Sequence, residues 1–218
     1  MPKAIFLSGF GKNGFYDTVA KVLQSEITDA DNLVFIPSEP DNFTKTDDYT
    51  PRIFGYFTYI GLDFNSYSVI DERMTDNQQA INAVASASCV FLMGGMTLIQ
   101  FEYIKQRQLI EPLLNHKGTV LGLSAGAMNM GKRSAIANPG YPPVTIYDGL
   151  GLADITVIPH FGSINMDYIK NEILPRTYGG VIYGMCDDAV ITVKDGDIKY
   201  NGTIYELTPG NIKLMPGI

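Results

Sequence analysis

Short apolar runs alternate along this chain with stretches whose apolar residues recur every three or four positions, the pattern of buried strands separated by amphipathic helices. The first run, Ala4 to Ser8, stops at Gly9, and from about Phe15 a helical face follows through Val19, Val22, Leu23 and Ile27. Leu33 to Ile36 reads as a second strand, ended by Pro37 and Pro40. Asp41 to Asp48 is polar and acidic, the profile of a loop, and Pro51 is placed to open a helix with Ile53, Phe54, Phe57 and Ile60 inward. Tyr67 to Ile70 predicts a third strand, and Asp76 suits the cap of a helix facing inward at Ile81, Val84 and Ala85. Cys89 to Met93 predicts a fourth strand, running into Gly94-Gly95. Two short helices are expected over Leu98 to Gln106 and Leu109 to His116, with Pro112 tolerated in the first turn of the second.

Val120, Leu121 and Leu123 then read as the end of a strand, and Ala125 to Met130 as the start of a helix. Ser134 to Thr145 is rich in Gly and Pro and reads as a loop. Ile155 to Ile158 is another apolar run, and Met166 to Leu174 predicts a helix. Ala189 to Val193, Ile198 to Tyr200 and Thr203 to Leu207 read as antiparallel hairpins at the sheet edge. The alternation predicts an α/β fold of three layers, helices on both faces of a mainly parallel central sheet. With no repeat or linker, residues 1–218 are expected to form one domain, long enough for a substantial core. In such sheets the reactive crevice lies beyond the carboxyl ends of the strands. Gly9, Gly94-Gly95, Ser124 and His160 all fall at predicted strand ends.

Composition narrows the partners. Sixteen basic residues against 23 acidic give a net charge of −7, and no basic cluster exceeds Lys132-Arg133, so nucleic acid is not expected. Cys89 and Cys186 form neither a disulfide framework nor a Cys-x-x-Cys pair, and no His/Asp/Glu group has metal-ligand spacing, so no metal or cofactor is expected. No signal peptide and no membrane-spanning run is visible, and a cytoplasmic location is expected.

Candidate chemistry centres on Gly122-Leu123-Ser124-Ala125-Gly126. A strand turning directly into a helix crowds its own backbone, and small residues two positions either side relieve it. Such a turn lifts the serine hydroxyl above the sheet and aims the first helical amides at the same point. The five residues are equally compatible with a tight turn around an inert serine, so partners must decide. A serine hydroxyl needs a base. His116, in Asn115-His116-Lys117-Gly118, is explained as a cation at a helix C-terminus. His160, in Pro159-His160-Phe161-Gly162, lies on the expected active edge and is the candidate base; its plain alternative is a histidine satisfied by a carbonyl. An acid should hold the imidazole in one tautomer. Asp187 and Asp188 precede a strand and are the candidates, with Asp148 and Asp154 weaker; a solvated acidic turn is the plain alternative. Cys186 reads as a small core residue. The amide of Ala125 and then that of Gly95 are candidate oxyanion donors. The order Ser, His, acid differs from the Ser, acid, His of α/β-hydrolases.

Four segments together resemble the dipeptidase E family of serine peptidases, which includes aspartyl dipeptidase and cyanophycinase. They are Phe91-Leu92-Met93-Gly94-Gly95-Met96-Thr97, Gly122 to Ala127, Tyr147-Asp148-Gly149-Leu150-Gly151-Leu152 and Pro159-His160-Phe161. The resemblance implies a class I glutamine amidotransferase-like, flavodoxin-like fold with serine in place of cysteine. It also implies Ser124 as nucleophile, His160 as base, Gly95 and Ala125 as oxyanion donors, and the acid, usually glutamate, nearest Asp187. Met96 stands where the family commonly has Asn or Asp, and Met128 where aspartyl dipeptidases carry Asn.

The expected function is hydrolysis of small peptides, with N-terminal Asp-X dipeptides one option, through an acyl-enzyme on Ser124. Lys132, Arg133 or Arg176 could supply positive charge for an acidic substrate. Two other classes compete. Gly9-Phe10-Gly11-Lys12-Asn13-Gly14 fits Gly-x-Gly-x-x-Gly after a first strand, with Glu39 near the place of a ribose-binding acid, so the chain could bind a nucleotide. Met96 and Met128 beside the site would also suit a binding or regulatory protein that kept the fold and lost the chemistry.

Overall fold

The computed structural model describes residues 2–138, 143–178 and 180–216. Pro139 to Pro142, in the expected Gly/Pro-rich loop, lie outside the described residues. In chain order the first half runs β1 (Lys3–Leu7), α1 (Asp17–Glu26), β2 (Asn32–Ile36), α2 (Phe43–Tyr59), β3 (Ser66–Val69), α3 (Asn77–Ser86) and β4 (Cys89–Leu92). It continues through α4 (Thr97–Gln106), α5 (Ile110–Leu114), β5 (Thr119–Leu123) and α6 (Ala125–Met130). The second half adds β6 (Arg133–Ile136), β7 (Thr145–Asp148), β8 (Val157–Ile158), α7 (Met166–Tyr168), β9 (Ile182–Met185), β10 (Val190–Lys194), β11 (Asp197–Asn201), β12 (Ile204–Thr208) and β13 (Asn211–Leu214).

The central sheet has seven strands in the order β11-β10-β1-β5-β4-β2-β3. Strands β1, β5, β4, β2 and β3 are parallel to their neighbours, while β10 joins β1 antiparallel and β11 follows it. Side-chain alternation along these strands builds one core on each face. Ile5, Leu7, Phe35, Phe91 and Leu121 pack with Val19 and Leu23 of α1 and Ile53 and Phe57 of α2. Phe6, Ile36, Val90, Leu92 and Val120 pack on the other face with α3, α4, α5 and α6. The three-layer, mainly parallel architecture expected from the apolar pattern is therefore observed.

Four features depart from that pattern. Asp41 to Asp48 is not a loop, because α2 begins at Phe43, where the Asn42 side chain accepts the Lys45 amide at 3.2 Å. Its buried positions before Ile53 are Thr46 and Thr50, so its inner face is invisible to an apolar pattern. Pro51 sits inside the helix on its exposed side rather than at its start. Second, Ser134 to Thr145 is bounded by the paired strands β6 and β7. Third, of the C-terminal strands only β10 and β11 lie at the central sheet's edge. β12 pairs instead with β9 and β13, in a second sheet of order β13-β12-β9-β8. Fourth, the helix expected over Met166 to Leu174 is one α-turn followed by a π-turn, Ile169–Ile173, and a 3-10 turn, Leu174–Thr177. Ile169 and Ile173 pack there against Ile158, Ile182 and Leu207 of the second sheet.

His116 is also not the helix-end cation expected of it. It is buried, and burial pushes its pKa below the usual imidazole value, offset in part by the Val84 carbonyl, so the neutral ring is favoured.

Packing is tight where α6 meets β5 and β4. A methyl group on Gly122 would stand 2.6 Å from the Ala127 nitrogen, and one on Gly126 would overlap the Leu92 carbonyl oxygen of β4. Gly126→Ala is expected to destabilise the fold by about 1–3 kcal/mol, the usual cost of overpacking. Urea unfolding of the variant checks this, and an unchanged midpoint would contradict it.

Candidate active site

Ser124 sits between β5 and α6 with φ 48° and ψ −104°, a conformation that costs a non-glycine residue about 1–3 kcal/mol. Neighbouring bonds hold it there. Its amide donates to the Leu7 carbonyl at 2.9 Å, and its carbonyl accepts the Met128 amide at 3.0 Å. The hydroxyl is thereby held at the carboxyl end of the central sheet, facing a cavity of about 480 Å³.

His160 comes from the second sheet rather than from the same sheet edge as Ser124. It follows β8, which pairs in parallel with β9, and takes a left-handed conformation at φ 55°. Its Nε2 lies 2.9 Å from Ser124 Oγ and its Nδ1 2.6 Å from Asp187 Oδ1. A carboxylate oxygen only accepts, so the ring proton belongs on Nδ1, leaving the Nε2 lone pair toward the serine hydroxyl. Both His160 and Asp187 side chains are about half exposed, at 48% and 46%, so their contact serves orientation more than stability. Asp188 points elsewhere and accepts the Thr203 hydroxyl at 3.1 Å. Asp148 pairs through β7 with Arg133 of β6, and Asp154 pairs with Lys132 at 3.1 Å; neither contacts His160. Cys186 is a partly buried thiol whose pKa is raised by burial first and then by Asp188, so it is protonated and a poor nucleophile.

Gly95, at φ 134°, ends the β4 loop beside Ser124, and a side chain there would overlap Ser38 Oγ. Ser38 donates its hydroxyl proton to the Gly94 carbonyl at 2.7 Å. The amides of Gly95 and Ala125 have no acceptor among the described residues, as donors reserved for a ligand oxygen would not.

Ser8 carries no signal in the sequence beyond ending an apolar run. It is fully buried, and its hydroxyl accepts the His160 backbone amide at 2.8 Å while donating to the Met185 carbonyl at 2.9 Å. One side chain from the end of β1 thus joins the ends of β8 and β9. Gly9 next to it leaves room for the acid, since a methyl group there would stand 2.7 Å from Asp187 Oδ1.

That contact gives Gly9 a role without a nucleotide. The rest of the Gly9-to-Gly14 loop closes on itself: Gly11 N–H donates to the Gly14 carbonyl at 2.7 Å and Gly14 N–H to the Gly11 carbonyl at 3.3 Å. Helix α1 then starts with Asp17 in its first turn, an unfavourable charge for a phosphate. Glu39 is engaged by Lys45 at the cavity wall. Lys132, Arg133 and Arg176 are not in the cavity at Ser124. They line a separate one of about 510 Å³ with Ile155, Thr156 and Ile182, at the entry of β8 and β9 instead of their exit. Among the described residues the only lysine or arginine lining the Ser124 cavity is Lys45, which the polar pattern of Asp41 to Asp48 hides because that pattern predicts a loop where α2 begins. Met96 is half exposed at the start of α4, and Met128 is buried in the core. Among the described residues no group of three or more His, Cys, Asp or Glu side chains is placed to hold a metal, and no helix is long and apolar enough to cross a membrane.

A parallel-sheet fold with a strained serine after its central strand, and an imidazole and a carboxylate in line behind it, has the arrangement of the serine hydrolases. Within that class the chain belongs to peptidase family S51, whose model matches residues 5–201. Its fold is similar to that of a peptidase from an acI-B1 Actinobacterium, with TM-score 0.76 at 15% identity over 100% of this chain and 95% of that one. It is also similar to a protein assigned as peptidase E from Listeria monocytogenes EGD-e, with TM-score 0.67 at 15% identity over 92% of this chain and 98% of that one. A comparison with curated proteins finds no match.

The two neighbouring acids give a direct contrast. Asp187→Asn should lower kcat by about 10²–10⁴-fold, because the amide can favour the wrong imidazole tautomer. Asp188→Asn should leave kcat within a few-fold. Peptide hydrolysis by both variants checks the assignment, and a reversed order would move the acid to Asp188.

Proposed function

We propose that this serine peptidase hydrolyses small peptides, N-terminal Asp-X dipeptides among them, through an acyl-enzyme on Ser124. The observation that carries the proposal is the continuous Ser124–His160–Asp187 hydrogen-bond line, at 2.9 and 2.6 Å. In this reading Ser124 Oγ attacks the scissile carbonyl carbon while its proton passes to His160 Nε2. The new oxyanion is received by the amides of Gly95 and Ala125, donors of a kind worth about 10²–10³-fold in rate. The C–N bond then breaks, and the amine leaves with the proton from Nε2. Water, deprotonated by the same nitrogen, attacks the ester and returns Ser124. Asp187 keeps the ring in the required tautomer throughout.

The cavity supports a short substrate. Phe10, Tyr49, Ile53, Met93 and Leu123 give it largely apolar walls, and Glu39 and Lys45 stand together on one side of it. Lys45, rather than Lys132, Arg133 or Arg176, is the cation available to a substrate carboxylate. Glu39, its ion-pair partner, would meet a substrate ammonium group once a bound carboxylate draws Lys45 away from it. A free dipeptide carries both charges.

Ser124→Ala should reduce peptide hydrolysis by at least about 10³-fold and abolish labelling by a fluorophosphonate. Unchanged hydrolysis would sink the proposal, and a wild-type protein that neither cleaves peptides nor takes the label would instead be a binding protein on this fold. For substrate choice, Lys45→Met should lower kcat/KM for Asp-X about 10-fold more than for Leu-X, the loss of one charge-assisted contact. Equal losses on the two dipeptides would remove Lys45 from acidic recognition.

A further inference from the structure

Behind the Ser124 cavity, and not lining it, lies a buried polar chain that hydrolysis of the substrate does not itself use. Gln100 of α4 is fully buried, and its side-chain amide donates to two main-chain carbonyls, Ile36 and Met93, each at 3.0 Å. Its oxygen accepts from the side-chain nitrogen of Asn129 at 3.1 Å. Asn129, fully buried on α6, also donates to the Thr97 carbonyl at 2.9 Å, and its own oxygen accepts the Tyr147 hydroxyl at 2.8 Å. The Gln100 amide hydrogens and oxygen are thus all used, as a buried polar chain requires if it is not to cost stability.

The two carbonyls held by Gln100 stand at the base of two walls of the cavity. Met93 leads directly into Gly94-Gly95, and Ile36 leads into Pro37, Ser38 and Glu39. These walls are tied once more on the cavity side, where Ser38 donates to the Gly94 carbonyl at 2.7 Å. The Gly95 amide can receive a developing oxyanion only if its loop keeps one orientation, and Gly95 itself, at φ 134°, has no side chain to anchor it. The strand ends also meet directly, Met93 N–H donating to the Ile36 carbonyl at 3.0 Å, and the two diverging N–H bonds of a glutamine hold both carbonyls from behind, which an aliphatic residue of the same length does not.

We propose that Gln100, oriented by Asn129 and Tyr147, is a positioning residue that sets the Gly95 amide for the oxyanion. This rests on the reading of Ser124 as nucleophile and Gly95 as donor. Gln100 touches no substrate atom; it acts through the Met93–Gly95 segment.

The test compares wild type, Gln100→Met, Tyr147→Phe and Ser124→Ala on p-nitrophenyl acetate, with active sites counted by endpoint fluorophosphonate labelling. Counting sites removes any loss of folded protein, which a purely structural role would cause without changing kcat per labelled serine. Gln100→Met is expected to lower kcat per site by about 30-fold or more with KM within about threefold, since the missing interaction matters in the transition state. Tyr147→Phe, which leaves Gln100 in place, is expected to lower it about 2–5-fold in the same manner. If Ser124→Ala is inactive but kcat per site stays at the wild-type value in Gln100→Met, the positioning role is overturned and the peptidase reading stands. Where Gln100→Met does not fold, wild-type kcat in Tyr147→Phe overturns it equally. If Ser124→Ala hydrolyses as fast as wild type, both readings fall together.

Discussion

Everything at this site depends on how closely β5, α6 and β4 approach one another. There is no space for a Cβ at Gly122 or at Gly126, and between them a serine is held at φ 48° by the backbone bonds it makes to Leu7 and Met128. The surrounding sheet stores that strain, about 1–3 kcal/mol, in return for a hydroxyl that stands clear of the strand end with the first amide of a helix beside it. A looser junction would let Ser124 relax into an ordinary turn. The large buried faces of the central sheet are what keep it from doing so.

The second requirement is that two separate sheets meet at one point. Ser124 belongs to the central sheet, whereas His160 and Asp187 leave adjacent strands of the smaller one. Because β8 and β9 are parallel neighbours, the residues that follow them emerge side by side, which is why His160 and Asp187, 27 positions apart, can touch. The Ser8 hydroxyl joins the two sheets by bonding both the His160 amide and the Met185 carbonyl. Fully buried and fully satisfied, such a bridge fixes relative position more than it adds stability. Gln100 does the corresponding work on the opposite wall, between β2 and β4.

The expected parts and the unexpected ones differ in a consistent way. Strands β1, β2, β4 and β5 were legible because each is a short run buried on both faces, and Asp76 was legible as a cap because a carboxylate there accepts the Gln78 amide at 2.8 Å. The first half of α2 was not, since its inward positions are Thr46 and Thr50, and with it went Lys45 and Tyr49, which line the cavity. The second sheet was not, because a two-residue strand such as β8 has no period to detect. The Gly9-to-Gly14 spacing carried a signal of the wrong kind: Gly9 is small to admit Asp187, and Gly11 and Gly14 close a tight turn. His116 could be placed near a helix end but not buried, because its burial comes from elements distant in the chain.

By itself the amino-acid order determined the layered α/β class, the serine between two obligatory glycines, and the short set of histidine and aspartate candidates around it. These are local properties, written in periodicity, turn chemistry and the scarcity of histidine. Only the tertiary structure decided that Asp187 and not Asp188 meets the imidazole, that Lys45 and not Lys132 or Arg176 faces the cavity, and that Ser8 and Gln100 hold its walls. Those choices turn on which strand ends lie next to which, and proximity between residues far apart in the chain leaves no mark on the spacing of either.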